Sequence, residues 1–163
     1  MLLQGRPEES LPLLQKGLAA FRATGAEVRA PAYLGMLGDA YTRLGRCADA
    51  HRVLGEALAA AAKNDDRCHE AELHRLQGEL LLAESPDRCA DAEACFRRAV
   101  ETARGQQSKG WELRATTSLA RLWRRTGRTE DARSALAAAY RTYTEGFETP
   151  DLVEAKGLLG VLA

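Results

Sequence analysis

Read for its apolar and polar positions, the chain falls into segments of about 15–20 residues rich in Ala, Leu, Glu and Arg, all strong helix formers. Short clusters of breakers separate them: Gly5-Arg6-Pro7, Thr24-Gly25, Gly45, Asn64-Asp65-Asp66, Ser85-Pro86-Asp87, the stretch Gly105 to Gly110, Gly127 and Glu148-Thr149-Pro150. No run of alternating Val, Ile, Thr and aromatic residues bounded by turns reads as a strand. The pattern predicts about eight helices, near 7–23, 28–44, 47–63, 66–84, 88–105, 109–126, 129–145 and 150–162. Pro86 or Asp87 is expected to start the fifth, Asp65-Asp66 to cap the fourth, and Thr149 to cap the eighth ahead of Pro150. Pro12 conflicts with a helix interior, so its missing N–H costs little near the start, or the first helix begins at Ser10.

The segments repeat. Gly45-Arg46 is followed by Asp49-Ala50, Leu54 and Ala57, and the same order returns as Gly127-Arg128, Asp131-Ala132, Leu136 and Ala139. A looser copy is Gly5-Arg6, Glu9-Ser10, Leu14 and Gly17. The small residues Ser10, Ala50, Ala92 and Ala132 are separated by 40, 42 and 40 residues. Four positions on stand Leu14, Leu54, Phe96 and Leu136; three further stand Gly17, Ala57, Ala99 and Ala139. The preceding helices align as Leu37-Gly38 with Tyr41, Gln77-Gly78 with Leu81, and Leu119-Ala120 with Trp123. A fixed period of this size marks a stack of small units.

Two helices joined by a short turn pack antiparallel, and a small residue lets the partner approach while a large one fills the next layer. Gly38 within a helix costs about 1 kcal/mol relative to Ala, so a close contact is expected there. The fold class that follows is all-α: stacked α-α helix pairs over residues 1–163 as one domain. It comprises a partial first repeat at 1–23, helix pairs at 28–63, 66–105 and 109–145, and a capping helix at 150–162.

The order Leu–Gly–Tyr on one helix and Ala–Phe–Ala on the next resembles the tetratricopeptide repeat, over roughly residues 30–63, 66–105 and 109–145. The resemblance implies a right-handed α-α superhelix; the period here is about 40, where that family usually has 34, so helices or turns are lengthened. Met1 falls where a first helix should be ending. The chain is therefore expected either to be cut from something larger or to begin with one helix face exposed.

The phrases ELHRLQGELLL, AEACFRRAVETARGQQSKGWELRATTSLARLW and YTEGFETPDLVEAKGLL resemble the carboxyl-terminal tails of large bacterial signalling ATPases, over roughly residues 70–160. Such proteins often carry a class III nucleotide cyclase or a DNA-binding region. The resemblance implies a helical sensing or scaffold tail ending in a cap. No G-x-x-x-x-G-K-[ST] phosphate loop and no placeable cyclase carboxylates occur, so neither activity is carried to a residue here.

Composition narrows the partners. Formal net charge is zero, which indicates no bulk attraction to nucleic acid or anionic membrane. The charge is uneven: residues 64–105 hold ten acids and six bases, residues 106–163 nine bases and seven acids. No apolar run approaches the ~20 residues of a membrane span, and MLLQGRPEES does not read as a secretory signal, so a cytoplasmic location is expected. The four cysteines Cys47, Cys68, Cys89 and Cys95 do not suggest a disulfide framework in a chain this large. Arginine far outnumbers lysine and alanine is abundant, a compositional hint of a GC-rich bacterial genome.

Cys47 and His51 are one helical turn apart and could face one metal ion. Cys47 and Cys89 occupy equivalent repeat positions, however, which favours packing. Cys68-His69 and His74 make no better set, and three histidines with no nucleophile partner give no triad. Glu70, Glu72 and Glu79 could serve as acid–base groups, but amid arginines they read as a solvated face. Trp123 aligns with Tyr41 and is expected in the core; Trp111 has no clear place. The expected metal, cofactor and catalytic residues are therefore none, and the chain is not read as an enzyme.

Arg114, Arg121, Arg124, Arg125 and Arg128 are spaced to lie mostly on one side of the sixth helix. In tetratricopeptide arrays the first helix of each pair lines the concave surface. By that resemblance Met36, Asp39 and Arg43 face it from one unit, Glu72, Arg75, Leu76 and Glu79 from the next, and Arg114, Thr117, Ser118, Arg121, Arg124 and Arg125 from the last. The expected binding face is thus Asp39, Arg43, Glu72, Arg75, Glu79, Arg114, Arg121, Arg124 and Arg125, turning basic toward its carboxyl end. Arginine forks suit carboxylates and phosphates. The competing reading is a solvated face paired with Glu112, Glu130 and Asp131.

The expected function is a protein- or peptide-binding scaffold, or a regulatory module docking other domains of the same parent protein. The alternatives are a nucleic-acid or nucleotide ligand, which zero net charge weakens, and a homodimer through the amino-terminal edge, where Leu13, Leu14, Leu18 and Phe21 are left partly uncovered.

Overall fold

The computed structural model describes residues 7–64 and 66–163. These form eight α-helices: α1 (Pro7–Ala23), α2 (Ala30–Arg43), α3 (Cys47–Lys63), α4 (Glu70–Glu84), α5 (Cys89–Gly105), α6 (Lys109–Arg125), α7 (Thr129–Tyr140) and α8 (Pro150–Val161). A 3₁₀ turn, Arg67–His69, precedes α4. Each helix packs on the next, and α2, α4, α6 and α8 also touch in succession. They form an inner row, with α1, α3, α5 and α7 outside it.

The seam of each hairpin is set by the small and large residues. Gly38, Gly78 and Ala120 are buried, as are Leu54, Phe96 and Leu136. A Cβ on Gly38 would stand 2.5 Å from Leu54 Cδ2, and one on Gly78 would stand 2.5 Å from Phe96 Cε1. Glycine is therefore required for the approach of α2 to α3 and of α4 to α5. Ser10, Ala50, Ala92 and Ala132 are all buried. Gly17 departs from the pattern: its equivalents Ala57, Ala99 and Ala139 are buried, whereas Gly17 has nothing within 4 Å of a Cβ. Among the described residues α1 has no inner helix of its own to pack against.

The turns explain the uneven period. Gly45 ends α2 and Gly127 ends α6, both at positive φ (69° and 81°). Arg46 N–H donates to Tyr41 O and Arg128 N–H to Trp123 O, closing the same helix-ending motif twice. In the α4–α5 turn, Ser85-Pro86-Asp87 replaces the glycine. Leu81 and Arg88 are therefore two residues further apart than Tyr41 and Arg46, which accounts for the separation of 42. After each turn an arginine clasps an aspartate three residues on: Arg46 with Asp49, Arg88 with Asp91, Arg128 with Asp131. The first copy, Gly5-Arg6, lies outside the described residues, as do Met1 and Asp65.

Several boundaries differ from the sequence reading. α2 starts at Ala30, two residues late, with Pro31 in its first turn where the missing N–H is harmless. α1 includes Pro12 and starts at Pro7, not Ser10; Pro12 is exposed. Neither Asp66 nor Thr149 makes a side-chain cap; Asp66 precedes the 3₁₀ turn instead. α5 starts at Cys89, after Pro86 and Asp87. α7 stops at Tyr140 because Thr142 and Tyr143 close short turns and Gly146 takes φ 72°. Leu18 is 5% exposed, packed with α2, so it does not belong to an uncovered face; Phe21 stacks on Tyr33 at 5.1 Å, and Leu13 stays 56% exposed.

Candidate functional site

The inner row leaves a groove of about 1070 Å³ lined by Asp39 and Arg43 of α2, Arg75 and Glu79 of α4, and Arg114, Arg121, Arg124 and Arg125 of α6. Eight of the nine residues expected on the binding face thus meet in one place. Glu72 stands at its edge and lines an adjoining hollow of about 520 Å³. The hollow is apolar. Leu13 and Leu14 of α1, Tyr33 and Met36 of α2, Leu73 and Leu76 of α4 and Trp111 of α6 form its walls. Asp39 and Arg114 line both spaces, so the two adjoin. Trp111 finds its place here, its ring 5.9 Å from that of His69 and 5.3 Å from the Arg114 guanidinium.

At the floor lies Arg75, 8% exposed. Glu72 accepts two hydrogen bonds from it at 2.8 Å each, and Glu79 one at 3.1 Å. Ser118 donates to Glu79 at 2.6 Å, and Arg114 pairs with Glu72 at 2.9 Å. Burial by itself would lower the Arg75 pKa, but Glu72, Glu79 and Asp39 outweigh it and raise the value. Glu72 and Glu79 are therefore not a solvated face. They neutralise a buried cation, which would otherwise carry a large desolvation cost. The spacing Glu72, Arg75, Glu79 places both carboxylates one turn from the guanidinium and was visible in the sequence.

The expectation of a simply basic carboxyl end needs correction. Asp151, Glu154 and Leu158 of α8 also line the groove. Glu154 pairs with Arg121, and Asp151 approaches Arg114 at 3.8 Å. The proposed partners Glu112 and Glu130 lie elsewhere, bound to Arg104 and Arg133, while Asp131 holds Arg128, whose guanidinium sits 4.6 Å over Trp123, away from the groove. Six arginines and four carboxylates remain in the lining. Burial lowers the Arg121 pKa, Glu79 opposes this and Arg75 adds to it. Among the described residues Arg125 donates only to Pro86 O and Cys89 Sγ, at 3.3 and 3.4 Å, and Arg124 has no ion-pair partner.

α8 reaches the groove because it takes the inner-row place of a further hairpin. A signal existed: Leu159-Gly160 follows Leu119-Ala120 by 40 residues. The other candidates resolve into packing. Cys47 and Cys89 sit against the core clusters, Cys89 donating to Pro86 O at 3.1 Å, and His51 reaches Glu84 at 2.9 Å. His74 is 5% exposed, with Nδ1 3.1 Å from Gln77 Oε1. Burial lowers its pKa, Gln77 and Glu70 oppose this, and Arg98 reinforces it. Trp123 is buried in the third hairpin, donating to Glu93 at 2.7 Å.

A tetratricopeptide repeat family model matches residues 1–63, which is less than half of the chain and includes α1, α2 and α3. No curated protein matches the chain. The all-α superhelix of paired helices agrees with that match, and repeats of this kind are generally scaffolds for protein interaction. No helix among the described residues is long and apolar enough to cross a membrane.

Proposed function

We propose that the chain is a docking module that captures a protein segment in the groove of its inner row, by surface recognition without covalent chemistry. The observation that carries this is the convergence of α1, α2, α4, α6 and α8 on two adjoining hollows, one apolar and the other rich in arginine. Solenoids offer such surfaces to extended partners. The similarity of residues 70–160 to the tails of bacterial signalling ATPases supports placing the module in the regulatory part of a signalling or transcription-control ATPase in the cytoplasm. There the captured segment belongs to a separate protein or to another domain of the same parent. A coding sequence upstream of Met1 that specifies neither an ATPase nor a cyclase would remove that context.

The experiment for docking is selection of a random-peptide library on the chain, followed by the Arg121→Glu/Arg125→Glu variant. Selected peptides should lose affinity for the variant while the melting temperature is unchanged. Failure to select any groove binder, or indifference to the charge reversal, counts against the reading. A nucleic-acid ligand would instead show a steep loss of binding between low and moderate salt. The amino-terminal dimer now rests chiefly on exposed Leu13, and a strict monomer in light scattering at high concentration would end it.

A further inference from the structure

The polarity of the groove specifies what kind of segment it takes. Apolar and charged lining are separated along the axes of α2 and α6, while α1 borders only the hollow and α8 only the charged end. On α6, Trp111 borders the hollow and Arg121, Arg124 and Arg125 border the charged end. On α2, Tyr33 and Met36 precede Arg43 in the same sense. The acids in the lining are largely engaged: Glu79 by Arg75 and Ser118, Asp39 by Arg43 at 3.0 Å, Glu154 by Arg121. Arg124 and Arg125 have no carboxylate partner among the described residues. The unmet charge at that end is positive.

We infer that the groove holds an extended peptide segment with an apolar anchor in the Trp111 hollow and a carboxylate-bearing stretch at Arg121, Arg124 and Arg125. This rests on the docking reading above and adds the chemistry and spacing of the partner. Trp111 to Arg121–Arg125 is ten to fourteen residues of helix, about 15–21 Å at the helical rise. An extended chain advances about 3.3 Å per residue, so anchor and acids lie about five to six residues apart. Glu154 is a built-in competitor, because it occupies Arg121 until a partner carboxylate takes its place.

The test uses the full chain and labelled synthetic peptides carrying one Phe and one Asp-Asp pair, with their separation varied from about two to about ten residues, read by fluorescence anisotropy. Affinity should peak near a separation of five to six and fall about tenfold when Asp-Asp becomes Asn-Asn. Arg125→Glu should weaken binding and Glu154→Gln should tighten it. Both positions are surface-exposed, so the fold should survive each change. Trp111→Ala should remove the dependence on Phe. Equal affinity for Asn-Asn peptides, no optimum in spacing, or weaker binding by Glu154→Gln would overturn the inference while leaving docking intact. If no peptide binds and single-stranded oligonucleotides do, both fall.

Discussion

Two kinds of helix contact build this molecule. Inside each hairpin the same solution recurs: Gly38 under Leu54, Gly78 under Phe96, and Ala120 buried in one cluster with Leu136. Between hairpins, along the inner row, every junction is different. Gly35 of α2 meets Leu73 and Leu76 of α4. Arg75 of α4 meets Ser118 of α6 through a polar network, and Arg121 of α6 meets Glu154 of α8 as an ion pair. The repeated contact makes the fold, and the unrepeated ones line the proposed binding face. A residue type that returns every 40 positions is answering the backbone. One that does not is free to answer a ligand.

The comparison can be broken hardest at the repeated seam. Phe96→Ala should lower stability by about 3–5 kcal/mol in urea unfolding, because a fully buried ring is lost from a tight contact. A fall well under 1 kcal/mol would mean that the seam is loosely packed. Arg75→Ala should cost about 3 kcal/mol by leaving Glu72 with Arg114 alone and Glu79 with only the Ser118 hydroxyl. The triple change Arg75→Ala, Glu72→Gln, Glu79→Gln should recover most of that loss, which a purely steric role for Arg75 would not allow. Gly78→Ala should cost about 1–3 kcal/mol through overpacking, since three Phe96 ring atoms lie within 2.9 Å of the added carbon.

A smaller effect follows from His74. Its pKa is lowered in the fold, so the unfolded chain binds more protons below about pH 6.5. Stability should therefore rise with pH up to about 6.5 and level off, and His74→Gln should flatten that slope in denaturant titrations at several pH values. Smallest of all, Glu154→Gln should shift stability by less than about 0.5 kcal/mol, as expected of an exposed ion pair. A larger loss would make the α6–α8 junction structural and would remove its role in the binding face.

The seam was legible in the sequence because its small and large residues return in one chain at nearly constant separation. The charged face was legible only through that alignment, which assigned the inner row to α2, α4 and α6. It missed α8 because Gly160 lies near the end of its helix and, among the described residues, α8 has no partner helix to complete the pattern. Reading Glu72 and Glu79 as solvated failed for another reason. Burial of Arg75 depends on α6 closing over α4, and spacing within a single helix cannot report what lies across from it.

The junction between Gly35 and Leu76 has its counterpart between Arg75 and Ser118: the same two places in successive units, with small and large exchanged and apolar turned polar. Such units cannot be shuffled. Grafting the third hairpin directly onto the first would set serine against glycine and leave a hole, and duplicating the second would press arginine against leucine. The linear order of the hairpins is thus written into their side chains, like the wards of a key.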